Sequence, residues 1–212
     1  MEKYILWDWN GTLLDDTAAA VDTLNAMLER RGLPKMDAEF YRDNFAFPVK
    51  PFYQSLGMGL DGDDWDALAR EYHEVYSAQA KRLNRGAIAA LERAKGAAAG
   101  QSVISALRQD LLERDTAAYG VAGYMDRIFG VDNLDGASKV SRARELMEEV
   151  SPMARGAQFV LIGDSLHDKE VADEIGAECV LCGQGSHALW RLAEAGTAAA
   201  TLAEALEAAL RA

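Results

Sequence analysis

Asp8, Ser105, Lys139, Asp164 and Asp168 are the side chains of this sequence whose types could together move a phosphoryl group. Asp8 could be a carboxylate nucleophile that forms an aspartyl phosphate. Asp164 could share a hard cation with it, because Mg²⁺ prefers oxygen ligands and takes one or two carboxylates besides phosphate and water. Ser105 could donate to a phosphoryl oxygen, and Lys139 could neutralise charge on nucleophile and phosphate. The Asn10-Gly11-Thr12 turn could offer backbone N–H groups to the same anion. A lone acid after a strand is more often a helix cap than a catalyst. Several reactive groups at one edge of a single sheet reverse those odds.

The elements that would position them can be read from periodicity. Lys3 to Asp8 is a short apolar run of strand formers that ends in polar residues and Gly11. Thr17 to Arg31 has apolar residues at helical spacing, and Gly32 and Pro34 stop that helix. Asp37 to Asn44, a segment after Pro48, and Asp63 to Leu83 read as further helices, with no convincing strand between Asp16 and Gly86. Beyond that the pattern alternates. Strands are expected at Ser102–Ser105, Arg127–Phe129, Gln158–Ile162 and Glu178–Cys182. Helices are expected at Ala87–Ala99, Leu107–Tyr119, Ser138–Val150, Asp168–Ile175, Ala188–Ala195 and from Leu202. Alternation of this kind predicts an α/β fold, a parallel sheet with helices on both faces. An all-helical insert, residues 16–85, interrupts its first crossover, leaving residues 1–15 and 86–212 as the core. Ligands of such sheets bind beyond the carboxyl ends of the strands. Asp8, Ser105 and Asp164 fall at or just beyond such ends, and Lys139 opens the helix before the strand that Asp164 follows.

Composition narrows the partners. The 22 Lys and Arg residues face 34 Asp and Glu, a formal net charge of -12. That balance argues against nucleic acid or an anionic membrane surface as a general partner. It leaves room for a phosphorylated small molecule, since a local pocket of cations outvotes a distant, screened acidic surface. Only four apolar residues precede Asp8, too few for a signal peptide's apolar region, and no apolar run is long enough to span a bilayer. Cys179 and Cys182 lie three apart in an expected strand, so they point to opposite faces as two structural thiols in a reducing, cytoplasmic setting. Two cysteines and three scattered histidines give no zinc-ligand spacing.

Asp8-Trp9-Asn10-Gly11-Thr12-Leu13-Leu14-Asp15 resembles the D-x-D-G-T-L-x-D first motif of the haloacid dehalogenase-like hydrolases. Ser105, Lys139 and Gly163-Asp164-Ser165-Leu166-His167-Asp168 match that superfamily's second, third and fourth motifs, in order. The sequence is most similar to the phosphoglycolate phosphatase-like branch, where a helical cap follows the first motif. The resemblance implies a Rossmann-like core and a cap, residues 16–85, that closes over a small phosphorylated metabolite. It implies Mg²⁺ held by Asp8, the Asn10 carbonyl and Asp164, with Asp168 an outer or water-mediated ligand. Catalytic roles then fall to Asp8, Asn10, Ser105 and Lys139, and substrate contacts to Gly11, Thr12, Ala106 and the cap residue Lys50. A monomer and a homodimer are both compatible with it.

The sequence departs from the family pattern at Asn10. Family phosphatases carry an Asp there, which protonates the leaving oxygen and later deprotonates the attacking water. An amide keeps the backbone carbonyl and can hydrogen-bond, but it cannot exchange a proton at neutral pH. Such assistance contributes about 10²- to 10⁴-fold in rate, or roughly 3 to 5 kcal/mol of barrier. Alkyl phosphates should suffer most; acyl phosphates, phosphoanhydrides and aryl phosphates should suffer less. Three readings follow: a phosphatase in which water, His167 or a substrate group replaces the acid; a C–P bond hydrolase of the phosphonoacetaldehyde type, in which Lys50 forms an imine; or a phosphate-binding or regulatory module with little turnover. In the second, Lys139 stands where that family generally has arginine. Among the other candidates, Phe45, Phe47, Phe52 and Tyr53 read as cap packing, given the area aromatics bury. His73 reads as cap surface, and His187 as a cap for the helix it precedes.

Overall fold

The computed structural model describes residues 1–59, 64–131, 139–154 and 156–212. Strand β1 (Lys3–Trp7) is buried along its whole length, as an apolar run at the centre of a parallel sheet must be. The chain then makes a tight turn into β2 (Leu14–Asp15), runs through α1 (Thr17–Arg30), α2 (Ala38–Asn44), α3 (Val49–Ser55) and α4 (Trp65–Ala78), and returns as β3 (Arg82–Leu83). The alternating half follows: α5 (Ala87–Ala97), β4 (Gly100–Arg108), α6 (Gln109–Ala118), β5 (Ile128–Val131), α7 (Lys139–Ala154), β6 (Gln158–Gly163), α8 (Leu166–Ile175), β7 (Glu178–Cys182), α9 (Leu189–Ala195), β8 (Ala198–Ala199) and α10 (Leu202–Arg211).

Six strands form one parallel sheet in the order β5-β4-β1-β6-β7-β8. Residues alternate across its two faces. Ile5 and Trp7 pack with Leu91, Leu112 and Leu206 from α5, α6 and α10, whereas Tyr4 and Leu6 pack with Leu146, Val150 and Val171 from α7 and α8. Helices therefore cover both faces, as expected. The inserted helices have an apolar cluster of their own, built on Leu24, Met27, Leu28, Tyr41, Phe52 and Leu68.

The expectation of no strand between Asp16 and Gly86 fails at one point. Arg82 and Leu83 pair antiparallel with Asp15 and Leu14 where the chain enters and leaves the insert. Arg82 Nε lies 2.9 Å from Asp15 Oδ2, and the Asn84 N–H donates to the Leu13 carbonyl at 2.8 Å. Two-residue strands carry no readable period, which is also why β8 escaped notice. The expected helix starts at Asp63 and Ser138 lie outside the described residues. α4 is capped by Asp64, whose carboxylate accepts from the Asp66 and Ala67 N–H groups. Cys182 packs on the first face and Cys179 against the second, with burial pushing their thiols up to about 11 and about 12. Both thiols are therefore protonated at neutral pH. Among the described residues no helix is long and apolar enough to cross a membrane.

Candidate active site

The sheet register gathers the site. Trp7 pairs with Val103 of β4 on one side and Ile162 of β6 on the other. Asp8 leaves β1 just beyond those pairs, its N–H still donating to the Ile162 carbonyl at 2.9 Å. Ser105 lies two residues past Val103 and Asp164 two past Ile162, so all three sit at one edge. α7 then delivers Lys139 from its first position.

Lys139 Nζ donates to Asp8 Oδ1 at 2.5 Å and to Asp168 Oδ1 at 2.6 Å, with all three side chains buried. Asp8, Asp164 and Asp168 each bring a carboxylate oxygen within 4.8 Å of the others. Burial alone would push the lysine down, but the carboxylates of Asp168 and Asp8 outweigh it and hold the ammonium above the usual lysine range. Asp168 is buried too, yet Lys139 pulls it below the ordinary carboxylate value. Asp8 goes the other way: burial raises it, Lys139 offsets only part of that, and Asp168 and Asp164 add repulsion. Asp164 is pushed up to about 7 by burial and by Asp168. Three buried carboxylates thus cluster around a lysine that reaches two of them, a charge imbalance that an oxygen-seeking divalent cation would relieve.

The donor sets distinguish the three acids. Asp168 is saturated: Oδ1 takes Lys139, and Oδ2 takes the N–H and hydroxyl of Ser165. It closes a capping box with Ser165 at the start of α8, so the bland cap and the charge partner are the same residue. Asp164 is oriented by Thr12 Oγ1 at 3.0 Å and by the N–H and hydroxyl of Ser186 at 2.6 and 2.5 Å. At Asp8, Oδ2 accepts from no described residue. Two glycines make room for Asp164: a Cβ on Gly11, whose φ is +78°, or on Gly185 would lie 2.3 Å from its Oδ2. The three carboxylates together fit an oxygen-seeking cation such as Mg²⁺, and among them Asp8 keeps the oxygen without a described donor.

Asn10 has surroundings that its type did not announce. Its Nδ2 donates to Asp16 Oδ2 at 2.8 Å and to the Tyr76 hydroxyl of α4 at 3.0 Å, and the same hydroxyl donates to Asp16 Oδ2. Asp16 Oδ1 accepts from the Gly11 N–H at 2.8 Å. That N–H also reaches the Leu14 carbonyl, so it faces into the turn rather than toward a bound anion. Burial raises the Asp16 carboxyl, against the pull of Tyr76, Asn10 and Gly11. Asn84, just after β3, ties the turn down by donating to the Gly11 and Thr12 carbonyls at 2.9 and 2.8 Å.

The remaining candidates divide. Ser105 is buried and its Oγ accepts from the Leu107 N–H at 3.0 Å, leaving its own proton for another acceptor; Ala106 beside it is exposed. Lys50 on α3 is exposed and places its ammonium 4.8 Å over the Trp65 ring. Phe45, Phe52 and Tyr53 pack in the insert as expected, but Phe47 is 43% exposed and turns to the His167 ring at 5.2 Å. His167 also meets Glu170 at 3.1 Å, and His73 is exposed. His187 does not cap α9, whose first turn has no side-chain cap; its Nδ1 accepts from the Leu166 N–H at 3.1 Å and so caps α8 instead.

Burial lowers His187 to about 4, so it is neutral in the fold. The unfolded chain, with an ordinary histidine, takes up the proton first. Stability from this group is therefore complete above about pH 6.5 and is lost as pH falls toward 4, by roughly 3 kcal/mol. His187→Gln keeps an acceptor for Leu166 and should flatten that part of a denaturation-against-pH profile by a comparable amount. A profile identical to wild type would contradict this.

Comparison with known proteins matches residues 5–182 to the family described as haloacid dehalogenase-like hydrolase. A curated relative, the probable phosphatase IndB of Dickeya dadantii (strain 3937), is 25% identical over 197 residues, covering 88% of this chain and 84% of its own. Among solved structures, Protein Tyrosine Kinase A of Mycobacterium tuberculosis superposes with a TM-score of 0.79 at 22% identity, covering 98% of both chains. A predicted phosphoglycolate phosphatase from Haemophilus somnus 129PT gives 0.72 at 17% identity, covering 98% of this chain and 97% of its own. At these identities the structures establish the shared fold alone.

Proposed function

Because the chain belongs to the haloacid dehalogenase-like hydrolase family, we propose that it is a Mg²⁺-dependent phosphatase acting on a small phosphorylated metabolite through an aspartyl phosphate on Asp8. One observation carries the reading. Asp8 has one oxygen fixed by Lys139, and its other oxygen accepts from no described residue, at the edge where Asp164 and Asp168 converge. That is how a carboxylate nucleophile must be presented: oriented by a neighbouring cation and open on one side. Lys139 holds the charge of nucleophile and incoming phosphoryl group together, and Ser105 turns its hydroxyl proton to a phosphoryl oxygen. Mg²⁺, held by Asp8, the Asn10 carbonyl and Asp164, with Asp168 behind, would neutralise the phosphoryl oxygens. The helical insert serves as the cap, and Gly11, Thr12, Ala106 and Lys50 are the residues expected nearest the substrate. Kinship with a probable phosphatase and with the phosphoglycolate phosphatase-like pattern supports a small anionic substrate. The surroundings of Lys50 lend nothing to the imine alternative, since its ammonium lies on Trp65.

The test is phosphate release from a panel of sugar, carboxylate, acyl and aryl phosphates with Mg²⁺ present, after EDTA treatment, and after Mg²⁺ is restored. We expect at least one substrate to turn over, with activity lost to EDTA and recovered with Mg²⁺. A wholly silent panel would instead support the phosphate-binding module.

A further inference from the structure

Asp16 and Tyr76 belong to no motif noted above, yet they determine what the Asn10 side chain can do. The carboxamide has two N–H donors and one acceptor oxygen. The amide nitrogen meets both Asp16 Oδ2 at 2.8 Å and the Tyr76 hydroxyl at 3.0 Å. Tyr76 in turn donates to Asp16, and Asp16 Oδ1 is held by the Gly11 N–H. The ring is closed, and it fixes the amide orientation: a carboxylate with three donors around it takes the nitrogen side, so the oxygen is the end left over. No described residue donates to Asn10 Oδ1.

The location matters as much as the polarity. Asn10 lies in the turn that begins at Asp8, and Tyr76 projects from α4 of the inserted helices onto it. In-line displacement places the leaving oxygen opposite the nucleophile. A substrate held between Asp8 and the insert would bring that oxygen toward the Asn10–Tyr76 contact. We propose that Asp16 and Tyr76 are positioning residues that hold the nitrogen of Asn10 and so present its oxygen as a hydrogen-bond acceptor, and that this makes the site selective for phosphoryl compounds whose leaving group departs as a stable anion, acyl phosphates first. The proposal rests on the phosphatase reading above.

The chemistry balances without an acid. Asp8 Oδ2 forms a bond to phosphorus as the bond to the acyl oxygen breaks, and the carboxylate leaves with the electron pair, unprotonated. Water then attacks the aspartyl phosphate, oriented by donating to Asn10 Oδ1. Its proton passes to a phosphoryl oxygen, and the phosphorus–Asp8 bond breaks to give the carboxylate and dihydrogen phosphate. An alkoxide cannot leave in this way, because its departure needs a proton that the locked amide cannot give.

The experiment compares kcat/KM for acetyl phosphate and for ethyl phosphate, with Mg²⁺, in wild type, Tyr76→Phe and the exchange variant Asn10→Asp/Asp16→Asn. The exchange moves the carboxyl to position 10 and keeps an amide partner beside it, so the contact survives with its proton carrier reversed. Ethyl phosphate turnover should rise by about 10²-fold in the exchange variant while acetyl phosphate changes far less, so the ratio between them falls by about 10². Tyr76→Phe removes one of the two partners that hold the amide nitrogen; it should lower kcat on acetyl phosphate with KM little changed and narrow the same ratio, in a protein whose melting curve shows it folded. A ratio within threefold of wild type in both variants would overturn the proposal while leaving the phosphatase reading intact. Phosphate release from neither probe by a wild type that turns over another phosphate of the panel above would overturn the proposal alone, and silence on the whole panel would sink both.

Discussion

Replacing Lys139 with Met should destabilise the protein by about 3–5 kcal/mol at neutral pH and abolish turnover. The side chain is 4% exposed and is the buried cation that contacts both Asp8 and Asp168. Methionine fills much of the same volume, so the loss is electrostatic rather than a cavity. What remains is three carboxylates within 4.8 Å with no lysine or arginine hydrogen-bonded to them among the described residues. The sign of the pH dependence follows from Asp168. In wild type Lys139 holds it below its ordinary value, so its contribution is present above about pH 4 and lost on acidification. Without the lysine, burial and repulsion raise all three acids. A carboxyl raised in the fold contributes stability below its unfolded value and loses it as pH rises. Urea denaturation at pH 7.5 and 5.5 should therefore show the gap between Lys139→Met and wild type shrinking at the lower pH. Mg²⁺ should recover part of it at pH 7.5, because a ligand that binds only the folded state stabilises that state. A gap that is independent of both pH and Mg²⁺ would mean that Lys139 acts through packing.

The parts of this site that were legible in the sequence are those on which the sheet imposes order. Asp8, Ser105 and Asp164 follow apolar strand runs, and Lys139 and Asp168 begin or cap the helices between them, so topology alone brings them to one edge. What was not legible depends on contacts between segments with no local signature. Asp16 directly follows Asp15, the last residue of the first motif, and nothing in its neighbours says that it, rather than Asp15, turns inward. Asp15 meets the exposed Arg82 of the hinge strand. Tyr76 is one of several aromatics on α4, and only the docking of that helix onto the turn, 66 residues from Asn10, gives its hydroxyl a partner. Ser186, Gly185 and His187 lie in a loop that reads as turn chemistry; their work on Asp164 and α8 comes from a loop folding back over the β6 end. A signal for Gly185 and Gly11 exists only in retrospect, since both make room for one carboxylate. Asn10 itself was visible as a departure. Its consequence was not, because whether an amide presents its oxygen or its nitrogen is settled by neighbours distant in sequence.

Asp8→Asn should lower phosphate release by roughly 10⁴-fold or more while leaving the protein at least as stable as wild type. The two halves of that expectation test each other. Loss of the nucleophile removes the covalent route outright, since an amide does not form the acyl phosphate. The stability change has the opposite sign from that of Lys139→Met. Burial and the charges of Asp168 and Asp164 raise the Asp8 carboxyl in the fold, so keeping it ionised at neutral pH costs folding free energy. Asparagine removes that charge but keeps an oxygen for Lys139, whose second partner, Asp168, is untouched. The melting temperature should hold or rise, most clearly at pH 8, and the advantage should fade at acid pH, where wild-type Asp8 is protonated. Brief exposure to acetyl phosphate followed by acid quench should leave phosphate on wild-type Asp8 and none on the variant. Labelling at another residue, or a variant that retains more than about a hundredth of wild-type turnover, would remove Asp8 from the nucleophile's place. A variant that is inactive because it is unfolded would contradict the charge argument instead, because the same cluster predicts that losing this carboxylate relieves strain and losing its lysine creates it.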